Sequence, residues 1–167
     1  MATAITIEIL EAFLNCKFKA QLRLNGQQGT KSDYEGGLSE LRADVRLKAI
    51  QKIRFQQSGN TPTNGIVLNR ATLSDGVPFL INADLFADRL SIHFDGLKKV
   101  DGDSDLGDFH YVPILFYEGH KIRKPQRLLL EVLSFLLARV QGKHPSIGII
   151  YHGSENGTEA KTGRSRY

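Results

Sequence analysis

FHYVPILFYEGHK, residues 109–121, is the stretch on which the fold turns. Its HYVPILFY part is rich in β-branched and aromatic residues and reads as a strand. Pro113 has no N–H to give a ladder, so it belongs at a sheet edge, a bulge or the strand start. Just upstream, RLSIHFDG (89–96) alternates with period two. Leu90, Ile92 and Phe94 fall to one side, and Ser91, His93 and Asp95 to the other. Between these strands lies the polar run VDGDSDLGD, which reads as a flexible acidic loop. It starts like a calcium loop, but Leu106 and Val112 stand where that pattern needs glycine and glutamate. Downstream, PQRLLLEVLSFLLARVQG (125–142) predicts a helix, with Pro125 at its start and Gly142 at its stop. That helix is apolar nearly all round, apart from a narrow stripe of Arg127, Glu131, Ser134, Ala138 and Gln141. SIGIIYHG (146–153) reads as a last strand.

Working outward, Ile5, Ile9, Phe13 and Ala20 step near helical spacing, with Leu10, Leu14 and Phe18 beside them. The spacing predicts one amphipathic helix over residues 5–24, closed by Gly26 and Gly29. Leu38, Leu41, Val45, Ala49 and Ile53 predict a second helix ending near SGNTPTNG. GIVLNRATL and VPFLINA are short strand-like runs separated by Ser74-Asp75-Gly76, the signal of a hairpin. The order α, α, β, β, β, β, α, β predicts an α/β domain: a mixed central sheet flanked by helices, over residues 1–153. SENGTEAKTGRSRY (154–167) has no apolar period and is expected to be a disordered tail.

The chain has 167 residues, of which 41% are hydrophobic and 24% charged, ordinary values for one globular domain. No apolar run nears the roughly 20 residues that cross a bilayer, so no membrane partner is expected. Glu8 and Glu11 interrupt the apolar start, which excludes a secretory signal. One cysteine, Cys16, excludes an internal disulfide and fits a cytoplasmic setting; on a mostly apolar helix it should be packed. His93, His110, His120, His144 and His152 show no paired metal-ligand spacing. A net charge of +4 permits a polyanionic partner. HKIRKPQR (120–127), with four Lys/Arg in eight positions, is either a solvated loop or a phosphate-backbone contact through Lys121, Arg123, Lys124 and Arg127. Asp95, at the end of the alternating strand and followed by Gly96, is either a turn aspartate or an oxygen ligand for a divalent metal.

Several segments together carry a resemblance. ITIEILEAFLNCKFKAQLRL resembles the opening helix of RecB-like nucleases, including CRISPR-associated exonucleases of that group. FDGLKKV, HYVPILFYEGHK and LLLEVLSFLLARVQG resemble their central strand–strand–helix unit, the restriction-endonuclease-like PD-(D/E)XK core. The likeness spans residues 5 to about 153 in four blocks. It is nearest to the N-terminal module of RecB-like nucleases, which in some proteins precedes an RNase H-like segment, sometimes with a helicase. A truncated chain and a further nuclease or helicase segment or chain as partner are therefore expectations too.

The resemblance implies a metal-dependent DNA nuclease working with Mg2+ or Mn2+. Its core acid falls on Asp95. Its upstream helical acid falls on Glu35, with Glu40 as the alternative. The strand acid and lysine fall on Leu115 and Tyr117, so that chemistry is eroded. Glu118 and Lys121 are the nearest replacements, brought in by a bulge at Pro113. The implied catalytic set is thus Asp95, Glu35, Glu118 and Lys121, with Asp95 and Glu118 as metal ligands. The family's helical glutamine and tyrosine fall on Leu129 and Leu133, with Gln126 one turn earlier. Cys16 matches one iron–sulfur ligand of some relatives, but the other three have no counterpart, so no cluster is expected from this chain alone. With both strand positions substituted, the alternatives are a non-catalytic nucleic-acid-binding or scaffolding module, or an incomplete piece of a larger nuclease/helicase protein.

Overall fold

A computed structural model describes residues 3–59, 61–153 and 157–162. The elements in chain order are β1 (Ile5–Thr6), α1 (Ile7–Asn15), α2 (Lys17–Leu24), α3 (Asp33–Gln56), β2 (Thr63–Val67) and α4 (Arg70–Ser74). Then come β3 (Phe79–Ala87), β4 (Leu90–Ser104), β5 (Gly107–Phe116), α5 (Lys124–Gln141), β6 (Ile147–Tyr151) and β7 (Gly157–Lys161).

The expected first helix is two helices. Cys16 breaks it with extended backbone (φ −155°, ψ 107°) and is exposed rather than packed. The helix α3 begins at a capping box. Ser32 Oγ accepts the Glu35 N–H at 3.2 Å, and the Glu35 carboxylate accepts the Ser32 N–H at 3.3 Å. Pro125 sits in the first turn of α5, and Gly142 ends it with φ 69°.

The sheet runs β2-β3-β4-β5-β6-β7, with the short β1 pairing alongside β4. It is mixed, as the alternation of elements predicts: β2 and β3 are parallel, β3–β4–β5 antiparallel, β5–β6 parallel and β6–β7 antiparallel. Three sequence expectations change. The runs around Ser74-Asp75-Gly76 form no hairpin, because α4 carries the chain across between parallel strands. The acidic stretch 100–108 is largely strand: Val100 pairs with His110, and Ser104 with Gly107, at the tip of a long hairpin. Past residue 153, residues 157–161 form β7 with Ala160 buried. The rest of the expected tail, 154–156 and 163–167, lies outside the described residues.

Helices cover both faces. Val45, Ala49 and Ile53 of α3 pack on Phe79, Ile81, Val112, Ile114, Phe116 and Tyr151. Leu129, Leu130, Leu133 and Leu137 of α5 pack on Leu80, Phe94, Leu97, Tyr111 and Leu115 of the opposite face, with α1 beside them. The polar stripe of α5 is not a solvent face, since Ser134 and Gln141 are buried while Leu128 and Phe135 are exposed. No helix among the described residues is long and apolar enough to cross a membrane.

Two local features set up the site. Gln141 acts as a one-residue strand: its Oε1 accepts the Tyr111 N–H at 2.8 Å and its Nε2 donates to the Tyr111 C=O at 3.0 Å. Tyr111 therefore turns its peptide groups away from β4. Pro113, two residues on, faces its missing N–H the same way, where pairing with β6 starts only at Ile114. The proline thus sits inside an interior strand without an orphaned partner. Second, Asn82 takes a left-handed φ of 53°. Phe79 and Ile81 before it face α3, whereas Ala83 and Leu85 after it face α5. The ladder accordingly passes from Ile81↔Gly96 to Ala83↔Phe94 with no bridged pair at Asn82 and Asp95. Asp95 lies inside β4 at this kink and is not in a turn. Gly96 is required beside it, because a Cβ there would come within 2.9 Å of the Leu80 carbonyl oxygen.

Candidate functional site

β4 and β5 part after the pair Gly96↔Ile114. Phe116 would lose its partner for its N–H at that point, and the Asp95 side chain supplies one: the N–H donates to Asp95 Oδ2 at 2.8 Å. Burial pushes the Asp95 carboxyl above the ordinary aspartate value, opposed by the Phe116 N–H and the nearby Arg42, His93 and Arg46 charges. The imidazole of His93 is hydrogen-bonded to Asp84 at 2.8 Å.

Two more carboxylates, both bound by one arginine, lie near Asp95. Arg42 of α3 donates from Nε to Glu118 Oε2 at 2.8 Å, and its Nη1 lies 3.3 Å from Glu11 Oε1 on α1. Burial raises the Glu11 pKa, as do Asp95 and Glu118, while Arg42 lowers it. Burial disfavours the Arg42 charge, but Glu11 and Glu118 outweigh it, and its pKa lies above the ordinary value. Three parts of the chain distant in sequence, α1, α3 and the segment after β5, are thus held by a single guanidinium. One turn along α3, Arg46 hydrogen-bonds the side chain of Asn82, which donates to Asn64 Oδ1 at 2.6 Å.

A cavity of about 110 Å³ is bounded by Glu11, Arg42, His93, Asp95, Leu115 and Leu133, among others. A larger one of about 330 Å³ shares Glu11, Arg42 and Leu115. It extends past Tyr117 and Glu118 to Gln126 on one side and to Lys19 and Arg23 of α2 on the other. Leu115, which stands where the resemblance expects an acid, is buried and presents an apolar wall to both. Tyr117, in place of the lysine, lines the larger cavity.

The structure thus gathers Asp95 and Glu118 but not Glu35. Glu35 sits exposed at the start of α3, ion-paired with Lys19 at 2.5 Å. The Lys19 and Ser32 hydrogen bonds hold its carboxyl below the usual range. Lys121 is exposed in the segment between β5 and α5 and is not among the residues lining either carboxylate cavity. Arg123, Lys124 and Arg127 are exposed around the first turn of α5, next to Pro125 and Gln126 of the larger cavity. The helical acid that does reach Asp95 is Glu11, which sequence reasoning missed. Its signal was available: it falls on the same stripe of α1 as Ile7 and Leu14, at intervals of four and three, and an acid on an apolar stripe needs a buried partner. The other missed residue is Arg42, that partner.

The carboxylates here already have partners within the chain. Among the described residues no group of three or more His, Cys, Asp or Glu side chains is arranged to hold a metal ion. One oxygen of Asp95 serves Phe116, and one of Glu118 serves Arg42. Mg2+ needs near-octahedral oxygen ligands, and a guanidinium already stands between two of the candidate donors. No protein-family model matches the chain, and no curated protein matches it.

Proposed function

We propose that the chain is a nuclease-type domain of the RecB-like group, with a restriction-endonuclease-like core, that engages DNA without cutting it by itself. The observation that carries this reading is Arg42, which supplies the positive charge among Glu11, Glu118 and Asp95 that a nuclease of this kind draws from a metal ion. Phosphodiester hydrolysis through a metal needs carboxylates free to chelate it. With Leu115 and Tyr117 in place of the acid and the lysine, two such contacts are gone, each worth about 10²- to 10³-fold in rate. What remains is a cavity whose flanks carry Lys19 and Arg23 on one side and Lys121, Arg123, Lys124 and Arg127 on the other, suited to phosphate contact. A cytoplasmic setting accords with the single exposed Cys16.

The convergence of three acids favours a second reading. Here Arg42 swings aside, Asp95 and Glu118 take Mg2+ or Mn2+, and Lys121 assists a working DNA nuclease. One experiment separates the two. Fluorescently labelled DNA is titrated with the protein across a range of salt, then incubated with MgCl2 or MnCl2. Binding that weakens steeply with salt and no cleavage supports the first reading. Metal-dependent cleavage that Asp95→Asn abolishes establishes the second. Absence of salt-dependent binding overturns both.

A further inference from the structure

The break at Cys16 turns α2 into a separate helix, and α2 is where the two larger cavities of this region meet. Lys19 and Arg23 line the cavity of about 330 Å³ that leads to Glu118, and they also line one of about 660 Å³ on the far side, with Lys31. They form a ridge between two hollows, where Lys19 pairs with Glu35 and Arg23 donates to the Glu8 carbonyl, so a phosphate there would exchange with Glu35 for Lys19. At the break, two aromatic rings are left in solvent: Phe13 is 52% and Phe18 67% exposed. Lys17 Nζ stands 5.8 Å over the Phe13 ring. The sequence FLNCKFK thus places exposed rings alternately with cations, the pattern that takes bases by stacking and phosphates by charge.

We infer that α2 is a landing surface for single-stranded DNA, which crosses the Lys19–Arg23 ridge into the cavity beside Glu118 with bases stacked on Phe18 and Phe13. The inference rests on the DNA-engaging reading and names the form of the DNA. A single strand suits the site for two reasons. First, a cavity of about 330 Å³ is at the low end of the roughly 300–1,000 Å³ range of small-ligand sites, so an unpaired nucleotide enters where a duplex stays outside. Second, exposed rings gain only from bases whose faces are free, and a duplex stacks those faces on each other.

The test is fluorescence anisotropy with an oligothymidine and a blunt duplex of equal length. It compares the wild type with Phe18→Ala and with Lys17→Gln/Lys19→Gln, after unfolding curves show that each variant is folded. The oligothymidine is expected to bind at least about tenfold tighter than the duplex, with Phe18→Ala losing roughly tenfold. The double variant should reduce the magnitude of the logarithmic salt slope by about 0.7 to 1.4, since each phosphate contact to a single strand contributes about 0.7 and Lys19 counts in full only when phosphate replaces Glu35. Duplex binding that is equal or tighter, and insensitive to these changes, overturns the single-strand surface and leaves the DNA reading standing. Salt-dependent binding to neither oligonucleotide overturns both. Binding to phosphatidylserine vesicles in place of either oligonucleotide assigns the exposed rings and lysines to a membrane surface, and also overturns the inference.

Discussion

Arg42→Met removes the charge that joins three elements and keeps most of the side chain's apolar stem. Two contacts disappear, to Glu118 at 2.8 Å and to Glu11 at 3.3 Å. Ion pairs in solvent are worth about 0.2–1 kcal/mol, whereas breaking a buried one costs about 3–5 kcal/mol. The side chains here are 41% exposed for Arg42, 26% for Glu11 and 13% for Glu118, between those limits. Glu11, Glu118 and Asp95 would also be left facing one another with no counter-charge between them. The expected loss at neutral pH is therefore about 2–3 kcal/mol, a fall in urea midpoint of about 1–1.5 M for an m-value near 2 kcal/mol/M. The pH dependence sharpens the test. Without Arg42 the folded-state pKa values of these acids rise, so the deficit is small where all are protonated and grows as pH climbs through the carboxylate range. Urea denaturation of both proteins at acidic and neutral pH measures this directly. A deficit below about 0.5 kcal/mol at neutral pH, or one equal at both, would show that the guanidinium does not neutralise the acids.

Three further outcomes are expected. Gln141→Leu leaves the buried N–H and C=O of Tyr111 unpaired, at about 1–3 kcal/mol each, so urea denaturation should show a loss of about 3 kcal/mol or more. Asp95→Asn keeps an oxygen for the Phe116 N–H but cannot ionise. Because burial raises the wild-type pKa, the Asp95 contribution is fully present below the ordinary value of 3.8 and is lost as pH rises through the folded-state value. The variant should gain on wild type as pH rises, and the reverse trend in matched unfolding curves would refute the burial assignment. Ser32→Ala removes one half of the α3 capping box and should lower stability by about 0.5–2 kcal/mol in thermal unfolding.

Much of the frame is legible in the order of the residues. Period-two alternation locates the start of β4, and the proline-to-glycine apolar block locates α5, because both signals are local: the side chains that must share a face are two, three or four residues apart. The same locality misreads VDGDSDLGD, whose polar residues form strand because the hairpin ladder continues through them. It also misreads the 5–24 segment, where a continuous apolar stripe hides a break at one residue.

Sequence by itself, then, determined the class of fold, the mixed sheet with helices on both faces, and Asp95 as an acid worth watching. Tertiary structure alone decided what Asp95 does and with whom. Arg42 meets Glu11 across 31 residues of chain and Glu118 across 76, and Phe116 meets Asp95 across 21. Nothing periodic links such positions. Glu35 is an equally acceptable acid on paper, yet it commits its charge to a helix cap and to Lys19 at the surface. Glu11 reaches the site because burying the apolar stripe of α1 carries its carboxylate inward, where a buried charge requires the partner that α3 supplies.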